Sequence, residues 1–353
     1  MQLSAAPSAP TGVPTTLLIV AILVAAGVGV AGTAVYFDLR PAGGSSPAGN
    51  QTVAVVDDLG RVVVAPLNAS RVVVLAPSVM DVVYRLGLRD RVVGVGCTPE
   101  IPGGILNEYS PNQTSLWNLS ASLCIVDEPS LDTERVAALD PDLVLASTIT
   151  STSDVQTLTG TYHLPVVLLA PSTLEGVVSD VELVAKLFPS TATKATALEA
   201  QLQLTLYNAT TFDANLSTNN VSIPSVLLTY GYYTGTYYTY GPGTFGQSLI
   251  DLAGGSSISS GVPLQYFGMN ASVVLADEPE VILYGTSTDS YLVANQTAAN
   301  WTAQAPYWSQ LNGTKIAIDV TLVTEADPTM VLALPALLHD LHPKLVPAPD
   351  VVR

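Results

Sequence analysis

The chain has 353 residues, of which 48% are hydrophobic and only 12% charged, and its formal net charge is −17. That length exceeds one average domain and leaves room for two lobes with substantial cores. Twelve Lys and Arg against 29 Asp and Glu exclude a nucleic-acid binder, whose affinity comes from cations that neutralise phosphates.

Residues Leu17 to Phe37 (LLIVAILVAAGVGVAGTAVYF) are uncharged and long enough to span a bilayer at about 1.5 Å per residue. A cleaved signal peptide is the competing reading. The run lacks a basic n-region, exceeds a usual apolar core and is followed by no cysteine placed to carry a lipid. It is therefore read as an N-terminal transmembrane helix within a segment 1–37, followed by a flexible Gly/Ser/Pro linker over 38–52. Eleven of the thirteen asparagines begin an Asn-x-Ser/Thr triplet: Asn50, Asn68, Asn112, Asn118, Asn208, Asn215, Asn220, Asn270, Asn295, Asn300 and Asn312. Chance would give about two or three such triplets, so the pattern reads as an extracytoplasmic glycoprotein, single-pass at the cell membrane with its bulk outside.

Two valine-rich runs flank Asp57-Asp58-Leu59-Gly60, a hairpin signal over Val53 to Ala65. Arg71 to Gly96 then reads strand, helix, strand. The first strand is almost wholly apolar, as in a buried parallel sheet. Ser78 is placed to cap the helix with Asp81 supporting its free amides, and Gly87 ends it. Four arginines crowd this unit (Arg71, Arg85, Arg89 and Arg91), most simply as solvated loop and strand-end residues. Cys97 and Cys124, the only cysteines, adjoin strand segments, and in an oxidising compartment they are expected to form a disulfide.

Asp132 to Thr148 (DTERVAALDPDLVLAST) is a short helix running through Pro141 into a strand. Ser272 to Thr286 (SVVLADEPEVILYGT) repeats the design, which implies two similar α/β lobes. Between them, Thr173 to Leu187 and Thr191 to Asn208 carry helical apolar spacing, separated at Pro189. Leu227 to Phe245 holds six tyrosines, suited either to a packed strand core or to the walls of a large flat ligand site. His163, His339 and His342 lack a metal-binding spacing, and no phosphate loop, nucleophile elbow or metalloprotease helix occurs. The chain is read as no enzyme, with no catalytic residue, metal or cofactor.

From the hairpin through Gly96, and again at ERVAALDPDLVLA, YGPGTFGQSLIDLAGG and LLHDLHPKL, the sequence resembles the cobalamin- and ferric-siderophore-binding receptors of ABC importers, over roughly 53–345. The resemblance implies two Rossmann-like lobes joined by a rigid backbone helix: an N-terminal α/β lobe over 53–172, interlobe helices over 173–212, a C-terminal α/β lobe over 213–345 and a tail over 346–353. It further implies a solute receptor, membrane-anchored through the apolar run at Leu17–Phe37, that binds a corrinoid or ferric chelate between its lobes and docks on permease and ATPase subunits. A surface structural or adhesive glycoprotein that kept the fold is the alternative.

On this reading Ser78 opens the helix at the cleft lip, and Tyr232, Tyr238 and Tyr240 precede the glycine that borders the pocket. Tyr109 and Trp117 in the first lobe's long connection, and Tyr266 and Phe267 in the second lobe's comparable loop, complete the expected contacts. Glu134 matches the family's first-lobe transporter-docking acid; the second-lobe position falls on Ser272, a departure.

Overall fold

Asp57 organises the first turn among the described residues. Its Oδ1 accepts the amides of Leu59 and Arg61, and its Oδ2 accepts from Nε and Nη2 of Arg61 at 2.9 and 2.6 Å. The hairpin β1 (Thr52–Val56) and β2 (Val62–Pro66) is antiparallel, as its sequence predicts. The computed structural model describes residues 51–97, 121–126, 130–219, 221–286, 301–302, 307–319 and 324–348. The expected anchor at Leu17–Phe37 and the linker up to residue 50 lie outside the described residues; among those described, no helix is long and apolar enough to cross a membrane.

The βαβ unit is β3 (Val72–Val74), α1 (Pro77–Arg85) and β4 (Val92–Cys97). With β5 (Cys124–Val126), β6 (Leu143–Ala146) and β7 (Val166–Leu168) it builds an all-parallel sheet in the order β5-β4-β3-β6-β7. The short helices α2 (Thr133–Ala138) and α3 (Thr152–Gln156) lie between those strands. Ser78 is not the cap of α1. Proline fits the first helical position, so the helix begins at Pro77 with Ala76 as its N-cap, and no side chain satisfies the cap. Asp81 likewise serves other groups: its Oδ2 binds Arg85 Nε at 2.7 Å and Thr329 Oγ1 at 3.1 Å.

The crowded arginines have structural partners. Arg71 donates to the carbonyls of Leu139 and Asp140, where α2 ends. Arg91 donates to the carbonyls of Asn68 and Ala69 and lies 5.7 Å from the Phe188 ring centroid. These cations tie loops to the sheet.

Two helices follow, α4 (Leu174–Leu187) and α5 (Ala192–Thr218), broken at Phe188-Pro189 as the sequence predicts. α5 runs ten residues past the predicted end at Asn208. Ala195, Leu198, Leu202, Leu206, Ala209 and Leu216 keep one buried stripe in register through its polar tail. Asp180 of α4 is buried, and its Oδ1 has no hydrogen-bond partner. Burial, with the Asp58 carboxylate beside it, holds the Asp180 carboxyl well above the usual range.

The second sheet contains β8 (Ser225–Tyr233), β9 (Thr236–Tyr240), β10 (Ser256–Ser257), β11 (Tyr266–Asn270), β12 (Val281–Thr286) and β13 (Thr314–Asp319). It runs β11-β9-β8-β12-β13, with β10 also on β8. It is not a copy of the first, because β9 and β11 are antiparallel to their neighbours. Thr234 and Gly235, both at positive φ, reverse the chain in a two-residue turn, so no crossover helix intervenes. Three further helices are α6 (Phe245–Leu252), α7 (Ala271–Asp277) and α8 (Pro328–Leu341). α8 packs on α5, α4 and α1, and so touches both halves.

Candidate ligand site

Strand alternation would place Tyr230 and Tyr232 on one face of β8. The register of β8 against β9 shifts between Thr229 and Gly231, a bulge that turns Tyr230 to the opposite face. The Thr229 hydroxyl donates into the gap, to the carbonyl of Tyr238 at 2.9 Å. Tyr230 thereby joins Tyr240, at a ring separation of 4.8 Å, and Tyr238 at 6.2 Å. Tyr266, opposite Tyr240 across the β9–β11 pairing, meets it edge-on at 5.8 Å. Gly246 lets the Tyr240 ring lie on the first turn of α6: a Cβ there would fall 2.2 Å from the ring.

Within this group Tyr240 is buried, Tyr238 is 36% exposed and Tyr266 56% exposed. Burial above all pushes the phenols of Tyr230, Tyr240 and Tyr266 up, and neighbouring tyrosines add to this for Tyr230 and Tyr240. The hydroxyls are therefore neutral donors and acceptors across the physiological range. Glu325, which precedes α8, also raises the Tyr240 phenol. Its Oε2 accepts the Ser78 amide at 3.3 Å. The Ser78 amide and the Tyr240 phenol are thus both acted on by one carboxylate from the far end of the chain.

The structure brings together Tyr238, Tyr240 and Tyr266 and adds Tyr230; Glu325, likewise missed by sequence reasoning, accepts the Ser78 amide and acts on Tyr240. Gly231, a glycine inside a strand, was the available signal for the bulge; nothing local announced Glu325. Tyr232 and Phe267 are set apart on the other face, in an aromatic core with Tyr237, Trp301 and Trp308. There the Tyr232 hydroxyl accepts the Gly235 amide at 2.6 Å and braces the turn. Tyr109 and Trp117 lie outside the described residues. An open depression of about 510 Å³ along α6, lined by Gln247, Asp251, Ser257 and Ser260 among others, includes none of the predicted contact residues.

Glu134 is exposed in the first turn of α2, whose N-cap Asp132 accepts the Arg135 amide. Ser272 holds the matching place in α7, where Asn270 caps the helix and takes both its amide and its hydroxyl. Cys97 ends β4 and Cys124 opens β5 on neighbouring strands, with Val95 opposite Cys124 and Cys97 opposite Val126. Cys124 is not a free thiol. Among the predicted glycan acceptors Asn68, Asn208, Asn215, Asn270 and Asn312 are described, and all are exposed. Asn50, Asn112, Asn118, Asn220, Asn295 and Asn300 lie outside the described residues.

The chain is 28% identical over 282 residues to a cobalamin-binding protein of Halobacterium salinarum, an alignment covering 77% of this chain and 69% of that one. A haem-binding protein, RhuT of Roseiflexus sp. RS-1, has the same fold with a TM-score of 0.60 at 20% identity, covering 78% of this chain and 99% of that one. The molybdate-binding protein MolA of Haemophilus influenzae superposes with a TM-score of 0.65 at 17% identity, covering 82% and 91%. Identities this low establish the fold, and the ligands named for these proteins differ from one another. The profile described as Periplasmic binding protein matches residues 72–315, most of the chain, which therefore belongs to the periplasmic binding protein family.

Proposed function

We propose that this chain is an extracytoplasmic solute receptor of an ABC importer, binding a corrinoid or a ferric chelate between lobes at 53–172 and 213–345. The observation that carries the reading is the phenolic wall of Tyr230, Tyr238, Tyr240 and Tyr266, with Glu325, which accepts the Ser78 amide at the start of α1, acting on Tyr240. Such a wall offers apolar area and hydroxyls without fixed positive charge, which suits a large ligand of low net charge. The relative named for cobalamin supports the corrinoid within that class. A thermal-shift panel of cyanocobalamin, ferrichrome, haem and molybdate tests it. A hundredfold excess over Kd stabilises by about 2.7 kcal/mol. A flat response to all four compounds would leave the structural or adhesive glycoprotein as the better reading.

The same proposal places the N-terminal segment in the membrane and sugars on the exposed acceptors. The mature protein is then expected to fractionate with membranes and to lose apparent mass on deglycosylation. It also pairs Cys97 with Cys124. In the chain-entropy model closing that loop stabilises by roughly 3 kcal/mol. Thiol labelling of the unreduced protein should find no reactive cysteine, and labelling of both would refute the pairing.

Glu134 is proposed as the transporter-facing acid of the first lobe. It is exposed, and its helix is anchored by Asp132 whatever side chain stands at 134. Glu134→Lys should cut uptake through the reconstituted importer by roughly tenfold, as loss or reversal of an interfacial charge pair does. Ligand affinity measured on the free receptor should not move. Undiminished uptake would assign docking elsewhere.

A further inference from the structure

Helix α8 is held at its two ends by different halves of the molecule. His342, the residue that ends it, is buried; its Nε2 donates to the Gly254 carbonyl at 2.9 Å, between α6 and β10. The same ring meets Phe212 of α5 edge-on at 5.2 Å. At the start of α8, Thr329 reaches α1 in the first half. Its amide and its hydroxyl donate to Asp81 Oδ2 at 3.2 and 3.1 Å, and the hydroxyl accepts from Arg85 Nη2 at 2.7 Å. Arg85 Nε closes the cluster on Asp81 Oδ2 at 2.7 Å.

Asp81 is 1% exposed, and its charge is met by donors from both helices, the arrangement a buried carboxylate requires. The tie is made at a single point by three side chains, so it can part without unravelling either helix. Between its ends α8 packs on α4 and α5 and carries Pro335, an exposed proline inside the helix. A proline there removes one backbone hydrogen bond and favours a bend. The covalent connection between the halves is itself interrupted, since α4 ends at Leu187 and α5 begins at Ala192.

We propose that α8 is a strap that limits how far the two halves can part, with the Asp81–Arg85–Thr329 cluster as its latch and Pro335 as the point where it bends. Thr329 sets the latch, because its one hydroxyl is at once donor to Asp81 and acceptor from Arg85. While the latch holds, motion between the halves is confined to what a bend at Pro335 allows. When it opens, the start of α8 leaves α1 and the restraint is gone. The strap acts on the halves themselves, so the inference stands apart from the ligand reading above.

The test measures the separation of the halves in the intact chain. Spin labels on Gln156→Cys in α3 and Val273→Cys in α7, both exposed positions, report it as a distance distribution. Without further change the labelled protein is expected to give one narrow distribution. Thr329→Val keeps the side-chain shape and the amide bond to Asp81 but removes both hydroxyl bonds. It should raise a longer-distance population about tenfold, the shift that losing hydrogen bonds to charged groups produces. Arg85→Lys keeps a cation beside Asp81 without the planar fork that also reaches Thr329, and should act in the same direction. Pro335→Ala restores the missing backbone bond and should narrow the starting distribution. Melting curves establish which variants fold. If Thr329→Val lowers the melting temperature and leaves the distances unchanged, the cluster only braces α1 and the latch is wrong. Should that variant fail to fold, unchanged distances in Arg85→Lys overturn the latch equally. A width that Pro335→Ala does not reduce overturns the bend.

Discussion

Replacing Tyr238 and Tyr266 together by alanine is expected to weaken ligand binding by roughly ten- to a hundredfold, as loss of anchoring aromatics does. Both rings are substantially exposed, at 36% and 56%, so little core packing goes with them. The melting temperature of the free protein should barely change. Tyr240→Ala makes the contrast. That ring is 2% exposed and packs on Phe245, Tyr230 and Tyr266, so truncation should destabilise the fold by about 3–5 kcal/mol whatever it does to binding. Calorimetric titration beside thermal denaturation separates the two effects. Because the wall is uncharged, raising salt from low to physiological strength should alter affinity little. Wild-type affinity in the double variant would remove the tyrosine wall from the site.

The second large effect concerns Asp180. Its carboxyl is held above the usual range by burial and by Asp58, whose Oδ2 already accepts the Ala170 amide at 2.5 Å. An acid whose folded pKa is raised contributes stability that is fully present below its unfolded pKa and is lost as pH climbs through the folded value. Wild-type stability should therefore fall relative to Asp180→Asn from about pH 4 upward, by at most about 1.4 kcal/mol for each pH unit. The difference levels off once the folded group has ionised. Asparagine supplies a permanent amide donor toward Asp58 without a charge to bury. Denaturant melts of both proteins between pH 4 and 9 measure the gap, and parallel pH profiles would show that Asp180 does not carry the proton.

Features whose cause is local were legible in the sequence. Alternation and the Asp-Asp-Leu-Gly turn gave the hairpin, β-rich apolar runs gave the parallel sheet, and Pro189 marked the break between α4 and α5. The matched helices at Glu134 and Ser272 were visible as a repeated helix, proline and strand. What escaped depends on partners distant in sequence or on one residue of register. Ser78 looked like a cap because serine favours that position, yet Pro77 fits the first helical position and moved the start. The carboxylate that accepts the Ser78 amide comes from Glu325, 247 residues further along the chain. Arg85 looked solvated because, besides Asp81 on its own helix, its partner Thr329 lies 244 residues away. The six tyrosines were visible, but nothing singled out Tyr230, since alternation cannot foresee which way a bulged residue turns.

The bulge at Tyr230 has a consequence for how such a receptor can change over generations. It sorts the hairpin's aromatic rings into two groups, one holding the sheet together around Trp301 and Trp308, the other lining the candidate site. Substitutions on the second face can drift and be selected for new cargo while the first keeps the protein folded, which separates the evolution of specificity from that of stability. Removing Tyr230, the extra residue of the bulge, would restore strict alternation and take one ring from the site face. Lineages that diversify their cargo on this scaffold should accordingly vary freely at positions 238 and 266 and preserve the chain length between Thr229 and Gly231.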